Sequence, residues 1–408
     1  MNPLHLSGFG VEILTSNPKP HAELKITVGR KSNPNPERYQ FLPRRIEYDS
    51  VILENATGQI SLAALRWLSK HNIPVYYLDF DGSILTAILP PQPVKADIRV
   101  SQIEASVDAE KKLTVAKAIV EAKLERSLTV LDWLAATHNV QNEIEAVRHE
   151  ASNLAEASTV PQVRTIEGRA AEQYWRAFAK AMSSDLRFQG RSTNTHNNNA
   201  SDPVNAALNY GYGFLKILCR TAINSVGLES AVGFLHETAY AQTAESLVYD
   251  LEEPFRFLVD IVVVQLFESG KLTPHDFAFL PDDYQYRIMW EGKMRLLDRI
   301  RYTFNSGVAY KGRTLKWDTV IQEKALELTR YLTDKASSID FTEPHPEFQR
   351  TNGKEVRERI LSMSNEEARR RGITKQTMFD LRRKAESEKP FKLYRKLREK
   401  LGQPDKDA

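Results

Sequence analysis

The chain has 408 residues, 41% of them hydrophobic, and a formal net charge of +3, which together indicate a globular protein of two or three domains. Its one cysteine, Cys219, excludes an internal disulfide framework and is typical of a protein of the reducing cytoplasm. We find neither a secretory signal nor an apolar run long enough to span a bilayer, so a soluble cytoplasmic protein is expected.

The first part of the chain is rich in short β-type segments. Alternating or continuous apolar runs occur at residues 24–28, 50–53, 75–80 and 84–88. Asp81-Gly82 predicts a hairpin turn between the last two runs, and leucines at helical spacing predict one short helix over 61–70. The proline cluster at 90–93 indicates a boundary. We therefore expect an N-terminal β domain over residues 1–92.

Beyond the prolines, apolar residues recur at helical spacing almost throughout, which predicts a mainly α-helical domain over residues 93–340. The longest helical stretches are 101–138, 140–156 and 163–183. The polar tract 190–203 is too rich in turn residues to pack and is expected to be an exposed loop. Asp202 and Pro203 suit the cap and first turn of the next helix.

This helical region contains a histidine and several carboxylates. Glu167 lies within IEGRAAEQYW, His236 ends the segment GFLH, and Asp250 and Glu253 belong to DLEEPFR. Taken singly, Glu167 is typical of a surface helix and His236 of a core or capping residue. Asp250 and Glu253, three residues apart, can share one helix face and can also cap a helix start, and both interpretations can hold together. Brought together, one imidazole and several carboxylates would suit Mg²⁺ or Mn²⁺ and would differ from a thiolate zinc site.

These segments resemble the CRISPR-associated integrase family, metal-dependent DNA endonucleases that insert spacers. The matching residues, in the order of the family, are 166–168, 171, 174–175, 202–205, 208–212, 226–228, 233–236, 250–251 and 253–256. The N-terminal region also resembles the small β domain of the family, so the resemblance covers residues 1 to about 340. The segment between His236 and Asp250 is longer than is usual in the family, and the chain continues past the family's normal end.

The resemblance implies a metal-dependent catalytic site. Glu167, His236 and Glu253 are the implied ligands of Mg²⁺ or Mn²⁺. Asp250 is implied to be a further catalytic carboxylate near the same ion, whereas Glu252 is expected to point elsewhere, into solvent.

Three further residues are candidates for contact with DNA. Asn209 and Tyr212 share a helix face, and we expect them to touch DNA or to orient a ligand, with simple packing as the alternative for the tyrosine. Arg256 is expected to pair with a DNA phosphate or with the neighbouring acidic cluster.

The C-terminal region, residues 341–408, is basic. Between 354 and 400 there are 16 Lys or Arg and 8 Asp or Glu, a net charge of +8. The segment 364–384 has alanine at its fifth position, glycine at its ninth and apolar residues beyond, and it resembles a helix-turn-helix. Its second helix would present four residues to DNA, namely Lys375, Gln376, Arg382 and Arg383. The alternative is a solvated helix face with charge pairs.

The predicted protein is an α+β DNA integrase with a small N-terminal β domain, a mainly α-helical catalytic domain and a C-terminal helix-turn-helix. It would join the 3′-hydroxyl ends of donor DNA to target DNA by transesterification. Its partners would be double-stranded donor and target DNA and further copies of the chain, as a homodimer or larger oligomer. The tail favours the transposon-borne casposase branch. The alternatives are a CRISPR spacer integrase that works with a small partner protein and, ranked lower, a DNA-binding regulator without enzymatic activity.

Overall fold

The computed structural model describes residues 2–16, 22–29, 36–54, 56–79, 82–90, 95–191, 199–236, 245–346 and 360–386. It confirms a mixed α+β fold, with the strands concentrated in the N-terminal part and helices dominating the remainder. In the described ranges, no helix combines the length and the apolar character needed to cross a membrane.

Two four-stranded sheets and one helix form the N-terminal part. The elements are β1 (Pro3–Ser7), β2 (Val11–Thr15), β3 (Leu24–Val28), β4 (Glu37–Phe41), β5 (Ser50–Glu54), β6 (Gly58–Ile60), α1 (Leu62–Lys70), β7 (Val75–Leu78) and β8 (Ile84–Ile88). The first sheet has the order β1-β5-β7-β8 and the second has the order β4-β3-β2-β6. Each predicted run contains a strand, and α1 begins after Ser61, whose Oγ accepts a hydrogen bond from the amide of Ala64 at 3.1 Å.

The first sheet lies between two hydrophobic cores. β1, β5 and β7 pair in parallel, and β8 runs antiparallel to β7. Because successive residues of a strand face opposite sides, Val51 and Val75 pack with the second sheet, while Ile52 and Tyr76 belong to the core of the helical part. The β-rich part is therefore joined to the helices through a shared apolar face.

The helical part contains nine described α-helices and two short hairpins up to residue 332, besides short 3-10 turns. The helices are α2 (Ala96–Val107), α3 (Ala109–Ala135), α4 (Gln141–Asn153), α5 (Val160–Lys180), α6 (Pro203–Val226), α7 (Ser246–Glu252), α8 (Arg256–Glu268), α9 (Trp290–Asn305) and α10 (Trp317–Leu332). The hairpins pair β9 (Phe277–Leu280) with β10 (Gln285–Ile288), and β11 (Gly307–Tyr310) with β12 (Arg313–Lys316). The sequence pattern did not predict these strands, because four residues are too few to show a clear period.

The predicted stretch 101–138 is interrupted at Asp108. This residue has an extended backbone, with ψ of 117°, and its Oδ1 accepts a hydrogen bond from the amide of Lys111 at 2.7 Å. Asp108 thus caps α3 and separates it from α2. The pattern of apolar residues continues through the break, which is why periodicity alone did not reveal it.

α6 is the central helix and packs against α7, α8, α9 and α10. It begins as predicted, with Asp202 as its cap and Pro203 in its first turn. A Cβ at Gly211 would overlap Cγ1 of Val259 on α8, and a Cβ at Gly213 would overlap the carbonyl of Gly82. The two glycines therefore allow α8 and the β7–β8 connection to approach α6 closely. Residues 192–198, in the middle of the predicted loop, lie outside the described residues.

After α10 the chain crosses α3. The guanidinium of Arg126 on α3 donates to the carbonyls of Thr342 and Pro344, and Phe341 is buried in the helical core. The described residues then resume at Ile360.

The last described elements are two short helices, α11 (Asn365–Arg370) and α12 (Lys375–Glu386). They are joined at Gly372, whose φ is +68°. Six buried side chains form a separate small core between them, namely Ile360, Met363, Ala368, Ile373, Met378 and Leu381.

Candidate active site

Two of the implied ligands lie around one lysine. Glu167 projects from α5, Glu253 lies at the junction of α7 and α8, and Lys123 projects from α3. The ammonium of Lys123 contacts Oε1 of Glu167 and lies 2.7 Å from Oε2 of Glu253. Because three separate helices supply these side chains, the helical packing itself brings the two carboxylates together.

The electrostatic surroundings keep Glu253 ionised. Its side chain is 4% exposed, and the guanidinium of Arg256 donates to its Oε1 at 2.9 Å. Burial favours the neutral carboxyl, but the charges of Arg256, Lys123 and His236 outweigh this effect and lower the pKa of Glu253 to about 2. Oε2 of Glu253 is buried and, among the described residues, has the ion-pair contact with Lys123 but no hydrogen bond.

Asp250 holds the histidine segment in place. Its carboxylate accepts hydrogen bonds from the amides of Phe234, Leu235 and His236 at 2.6, 3.1 and 2.9 Å. Oδ1 also lies 2.8 Å from Nδ1 of His236. The imidazole is therefore oriented through Nδ1, and Nε2 is the nitrogen directed away from Asp250.

The same contact influences the charge of the imidazole. Burial opposes protonation of His236, but the hydrogen bond and charge of Asp250, together with Glu253, raise its pKa above the ordinary value. Residues 237–244, which include most of the long segment between His236 and Asp250, lie outside the described residues.

The carboxylate pair fits a divalent cation in type and charge. Oε1 of Glu167 and Oε2 of Glu253 already contact one cationic group, and among the described residues Lys123 is the partner of the buried Oε2. Carboxylate oxygens are preferred by Mg²⁺ and Mn²⁺, and neutral imidazole is a common additional ligand. Within the described ranges, however, no three histidine, cysteine or carboxylate side chains converge closely enough to hold a metal. Lys123 occupies the space between Glu167 and Glu253.

Glu252 differs from its prediction. It was expected to be solvated, but only 1% of the residue is exposed. Burial raises its pKa to about 7, against the lowering effect of Arg256 and Lys216. Because Glu252 is adjacent to Glu253, it faces a different side of the helix, and the prediction took that side to be open to solvent. In the structure this side is covered by α6, which carries Lys216.

The candidate DNA residues of α6 and α8 belong to one network of polar contacts, in which Tyr212 is buried and Asn209 and Arg256 are partly exposed. The amide oxygen of Asn209 accepts a hydrogen bond from Arg191 at 2.8 Å. Arg256 lies over the ring of Tyr212, 4.5 Å from its centroid, and the hydroxyl of Tyr212 donates to Asp260. In this arrangement Arg256 pairs with the acidic cluster, which was one of its two predicted partners.

Asp260 is a buried carboxylate in this network. The hydroxyl of Tyr174 donates to its Oδ2 at 2.6 Å. Burial raises the pKa of Asp260 to about 6, although the donating hydroxyls of Tyr174 and Tyr212 act in the opposite direction.

Replacing Tyr174 with phenylalanine is expected to destabilise the protein by about 1–3 kcal/mol at pH 8, because a buried carboxylate loses a donor. The folded pKa of Asp260 exceeds the unfolded value of 3.8, so this group lowers the stability progressively as the pH rises from about 3.8 to about 6, and its effect is constant above that. Without the hydroxyl the folded pKa should rise further, so the loss of stability continues above pH 6, whereas the substitution should matter less at pH 5. Urea unfolding at both pH values would measure it, with the half-exposed Tyr249→Phe as control. An equal loss at both pH values would contradict the assignment.

The tail residues divide into two groups. Lys375, Gln376 and Arg383 are exposed on α12. Arg382 instead donates to the carbonyl of Met363 at 2.6 Å and to Oδ1 of Asn365 at 3.0 Å, so it also stabilises the helix pair.

Sequence reasoning missed Lys123, Arg191 and Asp260. Each of the three lies in an ordinary helical or polar stretch of sequence, and none belongs to the segments that carried the resemblance. Asp260 lies closest to one of them, shortly after DLEEPFR. One indication of Asp260 was present in the sequence, because it is a charged residue within the apolar run 257–267. A buried aspartate needs hydrogen-bond partners, so its position predicts a polar contact in the core.

The chain is similar in sequence to known proteins over most of its length. The family model described as CRISPR associated protein Cas1 matches residues 25–301. A CRISPR-associated endonuclease Cas1 from Methanospirillum hungatei is 29% identical over 337 residues, covering 82% of this chain and 97% of the relative. A second, from Archaeoglobus fulgidus, is 30% identical over 292 residues, covering 67% of this chain and 83% of the relative.

Solved structures give the same result. A casposase bound to integration product has a TM-score of 0.79 and 36% identity, covering 89% of this chain and 99% of that chain. A CAS1 protein from Thermotoga maritima has a TM-score of 0.65 at 17% identity, covering 83% of this chain and 99% of that chain, which shows likeness of fold. The family model matches more than half of the residues of this chain, and the chain therefore belongs to the CRISPR-associated Cas1 family of integrases and endonucleases.

Proposed function

We propose that this protein is a metal-dependent DNA integrase of the casposase type, which joins donor 3′-hydroxyl ends to target DNA by transesterification. The observation that carries the proposal is the pair Glu167 and Glu253 around one cation position, beside a histidine oriented by Asp250. Glu167, Glu253 and Nε2 of His236 would hold Mg²⁺ or Mn²⁺. When bound, such an ion polarises a phosphate and stabilises the charge that develops on it.

The chain's own residues would prepare this reaction. The hydrogen bonds to Asp250 fix the position of the 234–236 segment and the orientation of the imidazole, which is how outer residues support metal ligands. Arg256 keeps Glu253 ionised. In the reaction, the 3′-hydroxyl oxygen of the donor forms a bond to the target phosphorus, while the phosphorus–oxygen bond of the target strand breaks and leaves a 3′-hydroxyl. With water as the nucleophile, the same site would act as an endonuclease.

We assign the chain to three functional regions: residues 1–92 as a β domain, 93–340 as the catalytic domain and 341–408 as a helix-turn-helix that binds donor DNA. Lys375, Gln376 and Arg383 would contact the DNA groove and phosphates, with Arg382 acting partly through the helix pair. The first residues of the tail pack on the catalytic domain, because Arg126 of α3 donates to the carbonyls of Thr342 and Pro344.

The casposase branch is favoured over the CRISPR spacer integrase because the similar casposase covers 89% of this chain, including residues beyond the family match. The spacer integrase remains the second candidate, since the curated relatives carry CRISPR-associated names. Homodimers or larger assemblies would place two such sites on a target duplex. A regulator without catalysis would leave the carboxylate pair without a role.

Purified protein is expected to join a short duplex with a free 3′-hydroxyl to a plasmid when Mn²⁺ or Mg²⁺ is the only other addition. The tail would hold the donor end, and holding reactants together supplies much of the rate of such reactions. Joined products on a gel are the measurement, and a donor with a 3′-deoxy end is the control. Products that appear only after a small CRISPR partner protein is added would favour the spacer integrase.

A further inference from the structure

Lys123 takes the position that a metal bound to both glutamates would need. Its ammonium contacts oxygens of Glu167 and Glu253, which come from different helices. An ion coordinated by the same two oxygens would lie at nearly the same point, about 2 Å from each oxygen. Two cations cannot share this space, so the ammonium must leave when the ion enters.

The charges nearby make metal binding unfavourable without an anion. The carboxylates of Glu167 and Glu253 are balanced by Lys123 and Arg256, which both pair with Glu253. A divalent ion added to these four side chains would leave an excess of two positive charges, which the carboxylate of Asp250 behind His236 offsets only in part. A DNA phosphate is the anion that the proposed reaction brings to the site, and its approach would reduce that excess.

The site also offers the lysine a place to go. Lys123 and both glutamates line a cavity of about 220 Å³, together with Ser127, Trp175 and three arginines, namely Arg126, Arg191 and Arg256. The side chain of Lys123 is 19% exposed, and a lysine carries its charge on a flexible four-carbon stem. The stem can therefore reorient into the cavity without movement of α3, and a DNA phosphate there would offset the repulsion between the ammonium and the three guanidinium groups.

We propose that Lys123 is an internal counter-cation which occupies the metal position in the DNA-free protein and moves onto a DNA phosphate when the divalent ion binds. Metal and DNA therefore bind cooperatively, and the metal-loaded site forms mainly on DNA. This inference rests on the proposed function, because it requires that Glu167 and Glu253 bind the ion.

The test is Mn²⁺ binding to the full-length protein, measured from the electron paramagnetic resonance signal of free Mn²⁺. Titrations are made with and without a donor duplex whose 3′-deoxy end prevents reaction. A bound duplex is expected to tighten Mn²⁺ binding by wild type about tenfold or more, within the usual range of coupling between two sites. Lys123→Met, which keeps the length of the stem, should bind Mn²⁺ about tenfold more tightly without DNA and gain much less from the duplex.

Two further variants separate charge from shape. Lys123→Arg retains a cation and should keep the weak DNA-free binding, whereas Lys117→Met, on the same helix but paired with the carbonyl of Ala155, should match wild type. Circular dichroism identifies unfolded variants, and Lys123→Gln replaces Lys123→Met if the latter does not fold.

The inference is overturned if wild type joins DNA and binds Mn²⁺ but Lys123→Met and Lys123→Gln show the same affinities and the same effect of the duplex. Absence of Mn²⁺ binding and of joined products in wild type, with or without DNA, would instead refute the proposed metal-dependent function and the inference with it. Glu253→Ala, which should bind no Mn²⁺ in either titration, separates specific binding from surface binding.

Discussion

His236→Ala and Glu253→Ala are each expected to slow strand transfer by about 100- to 1000-fold, because loss of a ligand removes several kcal/mol of charge stabilisation in the transition state. The rate of joined-product formation at saturating donor DNA and ordinary Mn²⁺ concentrations is the measurement. The side chain of His236 is 42% exposed, so its removal leaves little empty space in the core and the variant should retain its fold. Glu253→Ala removes the buried carboxylate that pairs with both Arg256 and Lys123, so its unfolding must be measured in parallel.

Matched controls exist on neighbouring surfaces. Glu172→Ala removes an exposed glutamate from α5, the helix of Glu167, and His149→Ala removes an exposed histidine from α4. Both should keep wild-type rates. Folded His236→Ala or Glu253→Ala protein with a wild-type rate would exclude these residues as ligands.

Removal of the tail after Pro346 is expected to weaken binding to donor ends and to flatten its dependence on salt. For duplex DNA, the slope of log affinity against log salt concentration becomes shallower by about 0.9 for each phosphate that the protein no longer neutralises. This end point retains Phe341 in the core and the carbonyls that accept from Arg126, so the catalytic part keeps its packing. Fluorescence anisotropy of a labelled donor duplex at several salt concentrations measures both quantities.

Point variants refine this second prediction. Lys375→Ala combined with Arg383→Ala should reproduce part of the effect and leave the helix pair folded, because both side chains are exposed. Arg382→Ala should weaken DNA binding and also destabilise the helix pair, since its guanidinium joins α12 to the carbonyl of Met363. The control is the double variant Arg369→Ala with Arg370→Ala, which removes the same charge from α11 and should affect DNA binding less. If the truncated protein bound donor DNA with unchanged affinity and salt slope, the tail would have another partner, such as a protein.

Local sequence determined much of the fold. The strands around residues 24–28 and 50–53 follow from short β-type runs, and Ser61 and Asp202 begin helices because their side chains satisfy free amides of the first turn. Such signals act within a few residues, so they can be found without the structure. Glu167 and His236 could be selected only because their surrounding segments resemble a known family, since each residue alone has an ordinary explanation.

Only the tertiary structure decided which charges meet. Lys123 lies 44 residues before Glu167, and Tyr174 lies 86 residues before Asp260, yet each pair is in contact. Contacts of this kind depend on how α3, α5 and α8 pack, and packing of helices leaves no periodic mark that identifies a particular partner. The burial of Glu252 was missed for the same reason, because the residue that covers a side chain can lie anywhere along the chain. Sequence thus determined the elements and the candidate ligands, whereas the arrangement of charge around them arose from long-range packing.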